Sequence, residues 1–230
     1  MLRLLFIALL AFVCVPPAQA GEPVRRKEAI ALAEEYARFR WKPSLANAFH
    51  GLDRDGIRVD TPDCAFSNPG SRPGWWIPGR TNVGVPYMWG GFSSLSEFQE
   101  GIVNGWYAGD VYTREKRLRL ESAVSRHAVG IDCSGLISRC WGLERSYSTR
   151  ELPALCLPLA SYEALKPGDI LNSDNNHVLL FCAFADKDHK RIIAYEAGSP
   201  PTWKVLKDSI SVPMLKSFGY KPWRYKNIVD

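Results

Sequence analysis

Val178-Leu179-Leu180-Phe181-Cys182-Ala183-Phe184 is an unbroken apolar run of strand length, and Arg191-Ile192-Ile193-Ala194-Tyr195-Glu196 follows it after the turn-like Asp186-Lys187-Asp188-His189. Two such runs at this spacing read as an antiparallel hairpin whose first strand is buried. A buried strand needs other layers to cover it, so this pair restricts the chain to a sheet-containing core. A turn between Asp186 and Lys187 sets His177, at the head of the first strand, opposite Glu196 at the end of the second. Directly opposed residues share a face with Cβ atoms about 5 Å apart, so a carboxylate is expected to hold one nitrogen of the imidazole. A one-residue slip in register breaks that pairing.

The partner for the other nitrogen comes from Gly130-Ile131-Asp132-Cys133-Ser134-Gly135-Leu136-Ile137. Asp132 is a good N-cap. Leu136, Ile137, Cys140 and Trp141 recur at helical spacing as one apolar face, and Gly142 suits the C′ position. Cys133 therefore lies in the first turn of a helix, among backbone N–H groups with no intrahelical acceptor. Their partial positive charge favours thiolate over thiol, and they are placed to hold the oxyanion of a tetrahedral intermediate. A base is needed, and the chain has only four histidines: His50, His127, His177 and His189. His177 has the best context. Cys133, His177 and Glu196 thus form a candidate nucleophile, base and orienting residue. The competing readings are a small buried thiol that opens a helix and a solvated carboxylate at a strand end.

Asp132-Cys133-Ser134-Gly135, Leu165-Lys166-Pro167-Gly168-Asp169-Ile170, His177-Val178 and Pro86-Tyr87-Met88-Trp89-Gly90-Gly91 occur together. In these four motifs the chain resembles the NlpC-type cysteine peptidases, papain-like bacterial enzymes that mostly cut peptide cross-links of the cell wall. The resemblance covers roughly residues 82–226. It implies a papain-like fold with the cysteine helix packed on an antiparallel sheet. It also implies that Cys133 is the nucleophile, His177 the base and Glu196 the third catalytic residue, with Tyr87 beside the thiol. Trp89 and Ser134, within the same motifs, are further candidates for binding substrate.

Two features depart from the family pattern. The third catalytic position is commonly neutral or an imidazole, whereas Glu196 is a carboxylate, which stabilises an imidazolium at least as well. Residues 92–131 also intervene where the family usually has a short loop. This insertion carries a helix-like piece near Ser94 to Ile102, the aromatic turn Gly105-Trp106-Tyr107-Ala108-Gly109-Asp110 and the charged run Arg114-Glu115-Lys116-Arg117-Leu118-Arg119. Both of its ends must approach the nucleophile. It is expected to form a groove wall or a lid with Trp106 and Tyr107 at its tip, the alternative being a solvated decoration.

Arg3, the apolar run Leu4 to Val15 and Ala18-Gln19-Ala20 make residues 1–20 a secretory signal peptide, cleaved near Ala20. Val13 is bulky where lipoprotein processing sites carry small residues, so plain cleavage is preferred to a lipid anchor at Cys14. The product is expected in the periplasm or secreted. No other run reaches the length of a membrane span. Cleavage leaves Cys64, Cys133, Cys140, Cys156 and Cys182, an odd number, so at least one thiol stays unpaired or is shared between chains. A reactive Cys133 fits that role, and the other four allow at most two disulfides of undetermined pairing. No zinc-type spacing of Cys and His is present, and no metal or cofactor is expected. The net charge of +5, one less without Arg3, is a mild basic excess. It suits an anionic envelope polymer rather than requiring nucleic acid.

Residues 21–81 read as an N-terminal extension, with an amphipathic helix within Pro23 to Trp41 and turn-rich chain from Lys42 to Thr81. Trp75-Trp76 either stacks on a sugar or packs that loop onto the core. Residues 82–230 form the catalytic region, with strands near Asp169 to Leu171, His177 to Phe184, Arg191 to Glu196 and Tyr220 to Tyr225 after the helix of Cys133. Helix first and antiparallel strands later indicate an α+β fold. The expected activity is hydrolysis of an amide bond in peptidoglycan stem peptides. Action of the same triad on a lipid ester or amide, acyl transfer, and an inactive wall-binding protein are the rivals.

Overall fold

The computed structural model of the protein describes residues 22–67, 74–198 and 202–230. The expected signal peptide and the turn signals Asn68-Pro69-Gly70 and Arg72-Pro73 lie outside the described residues. The central feature is a six-stranded antiparallel sheet of β1 (Cys156–Pro158), β2 (Ile170–Ser173), β3 (His177–Phe184), β4 (Arg191–Ala197), β5 (Val205–Ser211) and β6 (Lys221–Tyr225). Their order across the sheet is β5-β4-β3-β2-β6-β1. With five helices, α1 (Arg26–Arg38), α2 (Leu95–Val103), α3 (Arg114–Arg119), α4 (Cys133–Cys140) and α5 (Val212–Ser217), the fold is α+β, as the order of elements indicates.

The sheet is covered on both faces, which explains the unbroken apolar run of β3. Val178 and Leu180 join Leu136, Ile137, Cys140 and Trp141 of the α4 segment and Ala29, Ala33 and Tyr36 of α1 in one core. Leu179 and Phe181 point the other way, into a second cluster with Val212 and Leu215 of α5. Each fully buried Leu or Phe contributes about 1.5–3 kcal/mol. β5 is absent from the sequence reading because Lys207-Asp208-Ser209 interrupts it. Those polar residues suit a sheet edge, where charge blocks pairing with another chain.

The N-terminal helix is integral to this core. Ala29, Ala33 and Tyr36 recur at helical spacing on its buried face. Arg26 donates to the buried Asp169 at 2.9 Å, and Arg224 of β6 reaches the same carboxylate at 2.7 Å. Asp169 of the Leu165 to Ile170 motif thus ties α1 to the sheet. Trp76 is fully buried and packs edge-on against Trp41, while the Trp75 indole N–H donates to the Trp203 carbonyl. The tryptophan pair therefore packs its loop onto the core, and a sugar platform there is excluded for Trp76.

The β3–β4 hairpin differs in register from the expected one. Ala185 N–H donates to the Arg191 carbonyl, so the turn is the five-residue Asp186–Lys190, centred on Asp188. His189 has φ +55° and Lys190 N–H donates to Asp186 Oδ1, which closes this longer loop. Its register alone would pair Glu196 with Leu180 and turn it into the core under α4. A bulge between Phe181 and Ala183 absorbs one residue, and beyond it Leu180 pairs with Tyr195. Glu196 then lies level with Leu179, two positions from the expected partner. An even shift preserves the face, so Glu196 remains a diagonal neighbour of His177.

Candidate active site

The first turn of α4 is built as the sequence reading requires. Asp132 Oδ1 accepts from Gly135 N–H at 2.6 Å and from Ser134 Oγ at 3.0 Å. Gly142 takes φ +63° after the helix, and Leu143 N–H donates back to the Ser138 carbonyl. Gly135 is required for a different reason. A Cβ there would lie 2.1 Å from the Gly91 carbonyl oxygen, which already accepts from Asp132 N–H at 3.1 Å. The Trp-Gly-Gly segment is thereby held directly against the cysteine turn.

His177, the first residue of β3, stands at the end of the sheet and bridges its two sides. Its Nε2 lies 2.6 Å from Glu196 Oε2, and it hydrogen-bonds the Cys133 thiol across the α4 side. Both members of the ion pair are largely buried, at 15% and 18% side-chain exposure. Burial alone pulls the imidazole down. The Cys133 sulfur, as charge and hydrogen-bond partner, and the Glu196 carboxylate outweigh it and hold His177 up at about 10. The imidazole is therefore protonated at neutral pH, held between the Cys133 sulfur and the Glu196 side chain. The other histidines are elsewhere: His50 pairs with Asp63, His127 with Asp55, and His189 stacks on Phe184.

Cys133 and His177 open onto a cavity of about 490 Å³ that also takes in Tyr87, Trp89 and Ser134. Tyr87 is buried against Trp203. Burial, then the negative charges of Asp132 and Cys133, push its hydroxyl well above the usual phenol range, so it stays a neutral donor. Trp89 donates from its indole N–H to the Leu120 carbonyl and leans on Tyr112. Ser134 spends its hydroxyl on Asp132. All six sequence-predicted site residues are therefore gathered around one thiol, although Glu196 reaches it only through His177.

The insertion supplies a wall, but with other residues than expected. Phe92 and Ile131, its two ends, pair with each other, and Trp89 N–H donates to the Asp110 carbonyl. Tyr112, Arg117, Leu120, Glu121 and Val124 line the cavity. Trp106 and Tyr107 do not: Tyr107 stacks on Phe49 at 4.2 Å, and Trp106 lines a separate cleft with Phe92 and Arg139. The aromatic tip is tied down by packing and by the short pairing of Tyr107–Ala108 with Ala128–Val129. Within the charged run, Lys116 is buried and its Nζ binds the buried Asp110 carboxylate at 2.5 Å. This pair anchors α3, a role that composition conceals because a run of charges reads as a solvated face.

Residues of the Arg145 to Glu151 segment also line the cavity, and no sequence signal points to them. Only the fold brings the segment beside Cys133. Cys64, Cys133, Cys140, Cys156 and Cys182 are all free thiols. Burial raises those of Cys140 and Cys156, the latter to about 12, which makes both poor nucleophiles. Asp53, Asp55 and His127 approach one another closely enough for a cation, but Asp53 is already satisfied by Ser125 Oγ and by Asp55 and Ile57 N–H groups. No protein-family model, curated protein or solved structure matches the chain.

Proposed function

We propose that this protein is an exported, papain-like thiol hydrolase of the NlpC type that cleaves an amide bond in peptidoglycan stem peptides. The observation that carries the reading is the continuous Cys133, His177 and Glu196 arrangement at the edge of a cavity, with the thiol on the first turn of a helix. Thiolate Cys133 attacks the amide carbonyl carbon, and the electron pair moves onto oxygen. Backbone N–H groups at the start of α4 hold that oxyanion. His177 gives its proton to the nitrogen as the C–N bond breaks, releasing an amine and leaving a thioester on Cys133. The now neutral imidazole takes a proton from water, whose oxygen attacks the thioester and frees the acid and the thiolate. Glu196 keeps the ring oriented throughout. Tyr87, a neutral phenol on the cavity wall, donates a hydrogen bond to the bound acyl group.

Among the described residues no helix is long and apolar enough to cross a membrane. The test is digestion of purified wall fragments followed by mass spectrometry. Wild type should release new amine and carboxylate ends with the mass of one added water, and Cys133→Ala and His177→Ala should release none. Cleavage that survives either substitution, or intact fragments with wild type, overturns the reading.

A further inference from the structure

Two arginines from separate segments line the reactive cavity: Arg117 on α3 of the insertion and Arg150 in the loop before β1. A third lining arginine, Arg145, is committed to Glu151 at 2.8 Å and lies over the Tyr147 ring. Glu151 is further held by Ser148 N–H and Oγ. The guanidinium groups of Arg117 and Arg150 have no hydrogen bond or ion pair with any described residue. Glu121, exposed at the rim, is the remaining uncommitted carboxylate of the lining. The orientation of Arg117 is enforced from behind, since its neighbour Lys116 is locked to Asp110 and to the Arg58 carbonyl, both at 2.5 Å.

A guanidinium left unpaired at a cleft keeps its donors for a ligand, and its planar fork matches a carboxylate. We propose that Arg117 and Arg150 are specificity residues that select an acyl substrate bearing a free carboxylate near the amide to be cut. The inference rests on the amide-hydrolase reading for the identity of the reaction, but the anion site itself is readable without it. Glu121 offsets part of this positive charge, and the attraction of the two free guanidinium groups for an anion falls with salt.

Alkylation of Cys133 by iodoacetate and by iodoacetamide separates charge from reactivity. In both, the thiolate sulfur bonds to the CH2 carbon and iodide leaves, and only iodoacetate carries a carboxylate. The iodoacetate-to-iodoacetamide rate ratio should exceed that of free cysteine. In Arg117→Gln/Arg150→Gln it should fall severalfold, with the iodoacetamide rate unchanged. Arg117→Lys/Arg150→Lys should keep most of the ratio. Arg150 is exposed, so Arg150→Gln alone gives a folded protein in which a smaller fall is expected. A ratio that ignores these substitutions overturns the proposal. Wall fragments provide the second arm: wild type should prefer those with free carboxylates over amidated ones, and the double Gln variant should lose the preference. Equal cleavage of both by wild type also overturns it. Cleavage of neither, with the alkylation ratio still falling, removes the amide-hydrolase reading and leaves the anion site standing.

Discussion

Separating the two neighbours of His177 gives the sharpest prediction. Its value of about 10 lies some 3.5 units above the ordinary 6.5, equivalent to about 5 kcal/mol in favour of the protonated ring. Of the two groups that raise it, Cys133 outranks Glu196. Cys133→Ala removes both the influence of the sulfur's charge and its hydrogen bond, so His177 should drop clearly toward its ordinary value. Glu196→Gln keeps an oxygen that accepts from Nε2–H and loses only the charge, so a smaller drop is expected. The two-dimensional NMR shift of the His177 Cε1–H, assigned by its disappearance in His177→Gln, follows the titration directly. Because the folded value lies above the unfolded one, protonated His177 stabilises the native state fully below about pH 6.5. That contribution is lost as pH rises through about 10. The loss should be smaller in both variants. Titration of wild-type His177 near 6.5, or a value unmoved by Cys133→Ala, would refute the pairing of the imidazole with the Cys133 sulfur.

Gly135→Ala should lower stability by roughly 2–4 kcal/mol in urea denaturation, since its Cβ would meet the backbone Gly91 oxygen at 2.1 Å and neither segment can yield. Lys116→Met should cost about 3–5 kcal/mol by leaving the Asp110 carboxylate buried without its cation, and a variant as stable as wild type would refute the anchoring role. Asp110 is itself pushed up to about 7, chiefly by burial and against the pull of Lys116. Its native state binds more protons than the unfolded chain between about pH 3.8 and 7, so this site makes stability decline as pH rises through that window. Asp110→Asn should flatten that slope in denaturation curves taken across the range. Tyr107→Ala should lower the melting temperature by removing the stack on Phe49, while Trp106→Ala should leave iodoacetamide labelling of Cys133 unchanged.

The local elements were legible because each has a short-range cause. α4 announces itself through Asp132, its apolar face and Gly142, and α2 as a helix-like piece near Ser94 to Ile102, whose start the structure shows closed by a Ser94 and Glu97 capping box. β3 is legible because residues buried on both faces of a sheet leave no polar alternation to misread. The third candidate residue was found from an incorrect register. The loop is longer than expected by an amount that alone would have moved Glu196 to the other face, and the bulge at Cys182 restores it. Neither a bulge nor the length of an Asp-rich turn has a distinctive signature in these residues. The insertion was misjudged for a related reason. Trp106 and Tyr107 look like a mobile tip until Phe49, far away in sequence, is found beneath the tyrosine.

The amino-acid sequence by itself determined that a cysteine opens a capped helix, that a histidine heads a buried strand, and that a glutamate ends the next one. Capping, periodicity and alternation act over a few residues, so they survive without knowledge of the fold. Only the tertiary structure decided what surrounds the thiol. Arg117 and Arg150 line one cavity because Lys116 is drawn inward to Asp110 and because the loop before β1 is brought to the N-terminal end of α4. Those are long-range outcomes of burying one ion pair and closing one sheet, and no local pattern encodes them.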